Sequence, residues 1–202
     1  MLKNVKRSLD KIAKSLEESR QAREYLIKNT RDIVILCSQS IISVHKGDLK
    51  LARKNVLKAK KLLAKYKKNA RGDLSRYLVI PEQEVVEATS LISIVEGKSI
   101  PSVESIGVSD ESYILGLLDC VGELKRLIYD KIRIGKTSES VRFFEIMENL
   151  YLVLYPFATY DKIVKETRKK LDVNRILVEE TRSALTEEIR RANLIDAINK
   201  IK

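Results

Sequence analysis

The fold is decided by residues 114–128, which read ILGLLDCVGELKRLI. Apolar side chains recur there every three or four residues, at Ile114, Leu117, Val121, Leu124 and Ile128. This period is typical of a helix with one buried face. Asp110 or the preceding Ser109 is a suitable N-cap, and Gly135 follows the last position of the pattern. The sequence therefore predicts a core helix over about residues 110–134.

The same helical period extends through the rest of the chain. Helices are expected over residues 1–45, from residue 49 onward, and over 82–96, 137–155 and 160–191, with a short amphipathic tail after them. Connections are expected at 70–81 and 97–109, and no stretch alternates with the period of a strand. Only seven Gly and three Pro occur in 202 residues. The fold class is therefore predicted to be all-α, with residues 1–202 forming a single domain.

The first helix is unusually long for a domain of this size. No Pro or Gly occurs in residues 1–45, and the stripe of Leu2, Val5, Leu9, Ile12 and Leu16 is typical of a seam between helices. A helix of that length extends for about 65 Å. A small core cannot cover it, so we expect part of this helix to contact another subunit.

The net charge of +11 is concentrated in one segment. Residues 46–76 contain twelve Lys or Arg and only two acidic residues. On the second helix, one face carries Lys50, Lys54, Lys58, Lys61, Lys65 and Lys68, with Arg53 beside them. A solvated helix face normally mixes Glu with Lys. We therefore predict that these seven residues, called the lysine face below, bind nucleic-acid phosphates, although a purely solvated face is the simpler alternative.

Two pairs of acids interrupt apolar helical segments. Glu84 and Glu87 are three residues apart, and Asp119 and Glu123 are four apart, so each pair shares one helix face. Carboxylates in apolar surroundings require a compensating cation. We predict that the four hold Mg²⁺ or Mn²⁺, which would support hydrolysis of a phosphodiester. The alternative is structural ion pairing, of Glu84 with a lysine and of Asp119 with Arg126 or Arg133.

Other chemistries are poorly supported by the sequence. The only histidine, His45, is interpreted as a helix-end residue, so zinc and di-iron sites lack their ligands. Cys37 and Cys120 lie in apolar segments and are predicted to be reduced core thiols. No apolar run is long enough to span a membrane, and a cytoplasmic location is expected. Gly116 and Gly122 suggest a close approach of a backbone, a metal or a ligand.

Two motifs resemble the translin family, and within it the subunits called translin-associated factor X. Gln83 to Ala88 matches the pattern Gln-Glu-x-x-Glu-Ala. Residues 113–124 match Tyr-x-Leu-Gly-x-x-Asp-x-x-Gly-Glu-Leu. Val85 and Val121 depart from the family, which has an aromatic residue and a Thr at these positions.

The resemblance implies an all-helical subunit of about seven helices that assembles into a hollow octamer. It also implies binding of single- and double-stranded RNA and DNA. Glu84, Glu87, Asp119 and Glu123 match the family's metal-binding and catalytic acids. The expected function is a Mg²⁺-dependent endoribonuclease acting as a homo-oligomer. The alternatives are a non-catalytic nucleic-acid-binding protein of the same family and a helical scaffold.

Overall fold

The computed structural model describes residues 2–70 and 72–201, so Arg71, which the sequence placed beside the lysine face, lies outside the described residues. The described residues form seven α-helices and no strand, as the sequence predicted. The helices are α1 (Lys3–His45), α2 (Leu49–Lys67), α3 (Val79–Val95), α4 (Val103–Ile106), α5 (Asp110–Arg133), α6 (Thr137–Leu154) and α7 (Thr167–Asn199). Short 3₁₀ helices occupy Gly72–Leu78 and Tyr155–Tyr160.

The helix α5 lies at the centre of the fold and contacts α3, α6 and α7. Its predicted stripe is buried at Leu117, Val121, Leu124 and Ile128. Each such side chain contributes about 1.5–3 kcal/mol through burial. Ser109 is the N-cap, because its hydroxyl accepts a hydrogen bond from the amide of Ser112. The buried side chains of all the long helices belong to one hydrophobic cluster around α5.

The first two helices form an antiparallel pair whose boundaries follow the sequence signals. Gly47 has a φ of 79°, the left-handed conformation that ends a helix, and Asp48 accepts a hydrogen bond of 2.9 Å from the amide of Leu51. Facing α1, the second helix buries Ala52, Val56, Ala59, Leu63 and Tyr66. The opposite side of α2 is therefore left to the lysine face.

The first half of α1 extends beyond the core. Leu26 is the first buried residue of this helix. The predicted stripe of Leu2, Val5, Leu9, Ile12 and Leu16 is between 50% and 73% exposed. Within the described part of the chain, this apolar stripe has nothing to pack against. No described helix has an apolar stretch long enough to cross a membrane.

Two predictions near the middle of the chain were wrong. The third helix begins at Val79, not residue 82, because Pro81 falls in the first turn, where its missing amide hydrogen is not needed. The expected loop at 97–109 contains the short helix α4. The predicted start of α6 at Thr137 is confirmed, with Lys136 as the N-cap and the Thr137 hydroxyl donating to Glu188.

The start and end of the last helix were also wrong. It begins at Thr167, not Tyr160, after Glu166 in the left-handed conformation with a φ of 71°. The tail expected as a separate segment continues α7 to Asn199. Ile163, which lies before this start, and Ile176 on α7 are 77% and 53% exposed. Seven helices are therefore present among the described residues, but α4 takes the place of the expected tail.

Candidate metal centre and nucleic-acid interface

Close packing of α3 against α5 positions the two pairs of acids. A Cβ atom on Gly116 would lie 2.4 Å from the carbonyl oxygen of Gln83 and 2.7 Å from Cβ of Val86. Only glycine therefore allows the two helices to approach this closely. On α3 the contacting residues flank Glu84, and on α5 Gly116 lies about one turn before Asp119. The prediction of a close backbone approach at Gly116 is confirmed.

The four acids form one electrostatic cluster. Burial raises the pKa of Glu87 to about 9, with further contributions from the charges of Asp119, Glu84 and Glu123. Burial also raises the pKa of Glu84, and the charges of Asp119 and Glu123 add to this effect. Mutual repulsion of this kind requires the four carboxyl groups to lie near one another. The fold thus brings together all four residues that the sequence selected, and we call them the acid cluster.

The two acids of α5 have nitrogen partners that the sequence did not reveal. Lys170 on α7 donates to Oδ1 of Asp119, and the amide of Gln83 donates to Oδ2. The Nε2 atom of His45 lies 2.6 Å from Oε2 of Glu123. By contrast, among the described residues neither Glu84 nor Glu87 forms a salt bridge or a side-chain hydrogen bond.

Structural ion pairing was the alternative interpretation of the acids, and its specific partners were wrong. Arg126 lies 3.7 Å from Glu123, and Arg133 lies 3.1 Å from Asp130, so neither residue pairs with Asp119. Both arginines are three residues away from their partners on the same helix. Asp119 instead points toward α7, where Lys170 lies.

His45 has a larger role than a helix-end residue. Its side chain is only 5% exposed and lies between two acids, with Nδ1 at 3.3 Å from Oδ2 of Asp130. The last residue of α1 therefore contacts two acids of α5. No local spacing could have indicated this contact, since His45 and Glu123 are 78 residues apart.

The acid cluster suits a hard divalent ion in its chemistry. Its donors are carboxylate oxygens, which Mg²⁺ and Mn²⁺ prefer, and its repulsion is the kind that a cation relieves. In the described part of the chain, no three His, Cys, Asp or Glu side chains converge closely enough to coordinate one ion as they stand. Lys170 and His45 occupy oxygens of Asp119 and Glu123. An ion would therefore bind with a local exchange of these partners.

The two cysteines are buried and not bonded to each other, as expected for core thiols. Burial raises the pKa of Cys37, with smaller contributions from Glu84 and Glu87. Burial likewise raises the pKa of Cys120, to which Glu87, Glu123 and Asp119 add. The thiols therefore stay protonated and pack against the acid cluster without serving as nucleophiles.

All seven residues of the lysine face are exposed along α2. Arg53 alone among them forms a salt bridge within the described residues, at 2.9 Å from Glu96. Two neighbouring lysines differ from the face. Lys60 is half-buried, and this burial lowers its pKa, while Lys67 lies 2.6 Å from the buried Glu82. The six lysines of the face are thus able to contact an anionic partner.

Comparison with known proteins identifies similar chains. The profile of the Translin family matches residues 21–181. An uncharacterized protein of Methanocaldococcus jannaschii is 34% identical over 188 residues, covering 89% of this chain and 82% of that protein.

Solved structures give the same result. The AfC3PO–duplex RNA complex superposes with a TM-score of 0.85 at 32% identity, covering 93% of this chain and 98% of that one. The crystal structure of AfC3PO has a TM-score of 0.83 at 34% identity, covering 93% and 99%. Apo-NeC3PO, at 21% identity and a TM-score of 0.76, covers 93% and 98% and shares the fold.

Proposed function

Because this chain belongs to the translin family, we propose that it binds RNA and cleaves it as a metal-dependent endoribonuclease. The ion is Mg²⁺ or Mn²⁺, held by Glu84, Glu87, Asp119 and Glu123. The observation that carries this proposal is the grouping of four carboxyl groups in the acid cluster, where burial, and then the charges of Asp119, Glu84 and Glu123, raise the pKa of Glu87 to about 9. A similar chain, AfC3PO, has been solved in complex with duplex RNA, which supports RNA as the substrate.

The two pairs of acids have different roles in the proposed site. Asp119 and Glu123 are oriented by Lys170 and His45 respectively. Glu84 and Glu87 have no such partner among the described residues, so their oxygens are available to bind a cation. When bound, the ion supplies an activated water and neutralises charge that develops on the phosphate. A carboxyl group of the cluster that loses its proton when the ion binds would be suited to accept the proton of the attacking water.

The lysine face is the proposed binding surface for the phosphates of RNA or DNA. Its six lysines are exposed, and a line of cations on one helix attracts a polyanion before close contact is made. The proposed assembly is a closed homo-oligomer, an octamer as the family resemblance implies. The exposed apolar stripe on α1 supports self-association. The reduced thiols support a cytoplasmic location.

Removing an acid of α5 tests the proposed activity. We expect Asp119→Ala and Glu123→Ala to lower the rate of Mg²⁺-dependent cleavage of labelled RNA by about a hundredfold or more, because each removes a ligand from the reacting centre. Glu145→Ala, at an exposed position on α6, is the matched control. If a well-folded Asp119→Ala variant cleaves RNA at the wild-type rate, the proposed site is wrong.

The second candidate is a family member that binds nucleic acid without cutting it. The observation that favours it is that Asp119 and Glu123 already have polar partners, Lys170 and His45, and so need no metal ion to compensate their charge. Titration with Mg²⁺ distinguishes the two candidates. A binding protein responds to the ion only through general salt screening, whereas a metal-dependent nuclease shows saturable activation at constant ionic strength.

The lysine face makes a separate prediction about salt dependence. In a variant with Lys54, Lys58 and Lys61 changed to Gln, the slope of log K against log [salt] for single-stranded RNA should fall by about 0.7 for each phosphate that is no longer neutralised. The control changes Lys6, Lys11 and Lys14 of the extended part of α1, and so removes the same net charge. Fluorescence anisotropy at several salt concentrations measures both slopes. Equal slopes in the two triple variants would show that the lysine face is only solvated.

A further inference from the structure

A cleft opens beside the acid cluster, between α5 and α7. Its volume is about 290 Å³, and its wall combines apolar side chains with two carboxylates, Asp119 and Glu166, and two lysines, Lys169 and Lys170. The buried Asn174 donates a hydrogen bond of 2.9 Å to the carbonyl oxygen of Leu118, which fixes α7 against α5 at this point. One of the four acids thus forms part of the wall of a cleft that also carries two lysines.

Gly122 keeps this cleft open. A Cβ atom at Gly122 would meet only Cδ1 of Leu177, at 3.9 Å, which is an ordinary contact. Glycine inside a helix costs about 1 kcal/mol relative to alanine. Packing accounts for this cost at Gly116, where a Cβ would clash, but not at Gly122. The missing side chain at Gly122 therefore leaves space in the cleft and not between helices.

Lys170 connects the cleft to the acid cluster. Its Nζ atom donates to Oδ1 of Asp119, and its side chain is 23% exposed. It also lines a second cavity of about 400 Å³, together with Gln83 and Lys165. Lys170 therefore stands between two adjoining spaces along the first turns of α7, and its charge can be directed to either side. A flexible four-carbon stem permits this movement without a change in the backbone.

We propose that the cleft is a phosphate subsite of the acid cluster, in which Lys170 transfers its hydrogen bond from Asp119 to a backbone phosphate of RNA when a divalent ion binds the acids. This inference rests on the proposed function. An ion that takes the oxygens of Asp119 displaces the ammonium group. A displaced ammonium in a partly buried position requires a new anion, and the phosphodiester adjoining the reacting one is the anion that RNA brings.

The effect of Mn²⁺ on RNA affinity tests whether Lys170 transfers its hydrogen bond from Asp119 to a phosphate. Binding of a short nuclease-resistant single-stranded RNA is measured with and without Mn²⁺, for the wild type, Lys170→Met and Lys125→Met. Lys125 is the matched control, because it also joins α5 to α7, through Glu180, and is equally exposed at 23%. We expect Mn²⁺ to increase the RNA affinity of the wild type and of Lys125→Met. In Lys170→Met, this Mn²⁺-dependent increase in RNA affinity should be smaller by a factor of about three to ten.

Binding of Mn²⁺ without RNA provides an independent readout. Lys170 competes with the ion for Asp119, so Lys170→Met should bind Mn²⁺ more tightly than the wild type by about threefold or more, while its RNA affinity in Mn²⁺ falls. A purely structural role for Lys170 would not produce opposite changes. Gly122→Leu gives a second test, since a large side chain in the cleft should weaken RNA binding and leave Mn²⁺ affinity unchanged.

The outcomes separate this inference from the proposed function. If the wild type binds no Mn²⁺ and cleaves no RNA, the proposed function fails and the subsite fails with it. If the wild type cleaves RNA but Lys170→Met keeps the full Mn²⁺-linked gain, only the subsite is overturned. Should Lys170→Met fail to fold, Gly122→Leu decides the question, and unchanged RNA affinity in that variant contradicts the subsite.

Discussion

Glu87→Gln is expected to abolish Mg²⁺-dependent cleavage of RNA and, in the same protein, to stabilise the metal-free fold. Glu87 belongs to the acid cluster and has the most strongly raised carboxyl pKa there, to about 9. Glutamine keeps the shape of the side chain but cannot become charged. The substitution therefore removes a metal ligand, which should cost about a hundredfold or more in rate. It also removes an ionisable group whose charged form is disfavoured by burial and by the charges of Asp119, Glu84 and Glu123.

The gain in stability should depend on pH. In the unfolded chain Glu87 ionises near 4.5, whereas in the folded protein its pKa is about 9. The folded state therefore holds this proton more tightly, and the wild type loses stability as pH rises from about 4.5 to about 9. Below about pH 4.5 both states are protonated, so the two proteins should be equally stable. At pH 8 we expect the free energy of unfolding of Glu87→Gln to be about 1–3 kcal/mol higher than that of the wild type.

Urea unfolding in the presence of a chelator measures this difference. Glu145→Gln is the matched control, since it changes an exposed glutamate by the same chemistry. A Glu87→Gln variant that is no more stable than the wild type at pH 8 would contradict the raised pKa of Glu87. A variant that is stabilised but still cleaves RNA at the wild-type rate would place Glu87 outside the reacting centre.

Gly116→Ala should destabilise the fold by about 2 kcal/mol, because Gly116 is the glycine at which an added Cβ would clash with its surroundings. The new Cβ would lie 2.4 Å from a backbone oxygen of α3, which cannot rotate away as a side chain could. Overpacking of this kind costs about 3 kcal/mol, and alanine returns only about 1 kcal/mol through its helix propensity. The stability is lost because α3 and α5 are pushed apart, so the spacing between the two acid pairs should change as well.

Gly122→Ala is the control, because it makes the same substitution in the same helix. Its Cβ meets no atom closer than 3.9 Å, so thermal unfolding should show a stability equal to the wild type or higher by up to about 1 kcal/mol. If Gly116→Ala is as stable as Gly122→Ala, the two helices are not as close as described. Cleavage assays on both variants then show whether the α3–α5 spacing matters for activity.

Local spacing in the sequence was sufficient to predict the six long helices, though not all of their ends, and to select the acids. The stripe from Leu117 to Ile128 determines which side of α5 faces the core, and the acids share the faces that their spacing predicted. The spacing of residues also predicted that the lysine face of α2 is exposed, because a helix that buries a stripe on one side leaves its other side in solvent.

Contacts between distant segments could not be predicted in this way. Lys170 is 51 residues from Asp119, and His45 is 78 from Glu123, so neither pair produces a local pattern. The beginning of α7 was misplaced for a related reason. Ile163 fits the period of a helix, but Tyr155–Tyr160 forms a 3₁₀ helix and Glu166 adopts a left-handed conformation, which together set a new start at Thr167.

One uninterrupted helix joins the exposed stripe of α1 to the acid cluster. The helix α1 runs without a break from Lys3 to His45, and His45 lies against Glu123. An α-helix resists stretching along its axis, and this one is about 65 Å long. The helix therefore acts as a rigid rod, and a shift along its axis at Leu9 is also a shift at His45. A partner that binds the exposed half of α1 and displaces it along its axis would therefore also displace His45, which contacts Glu123 of the acid cluster.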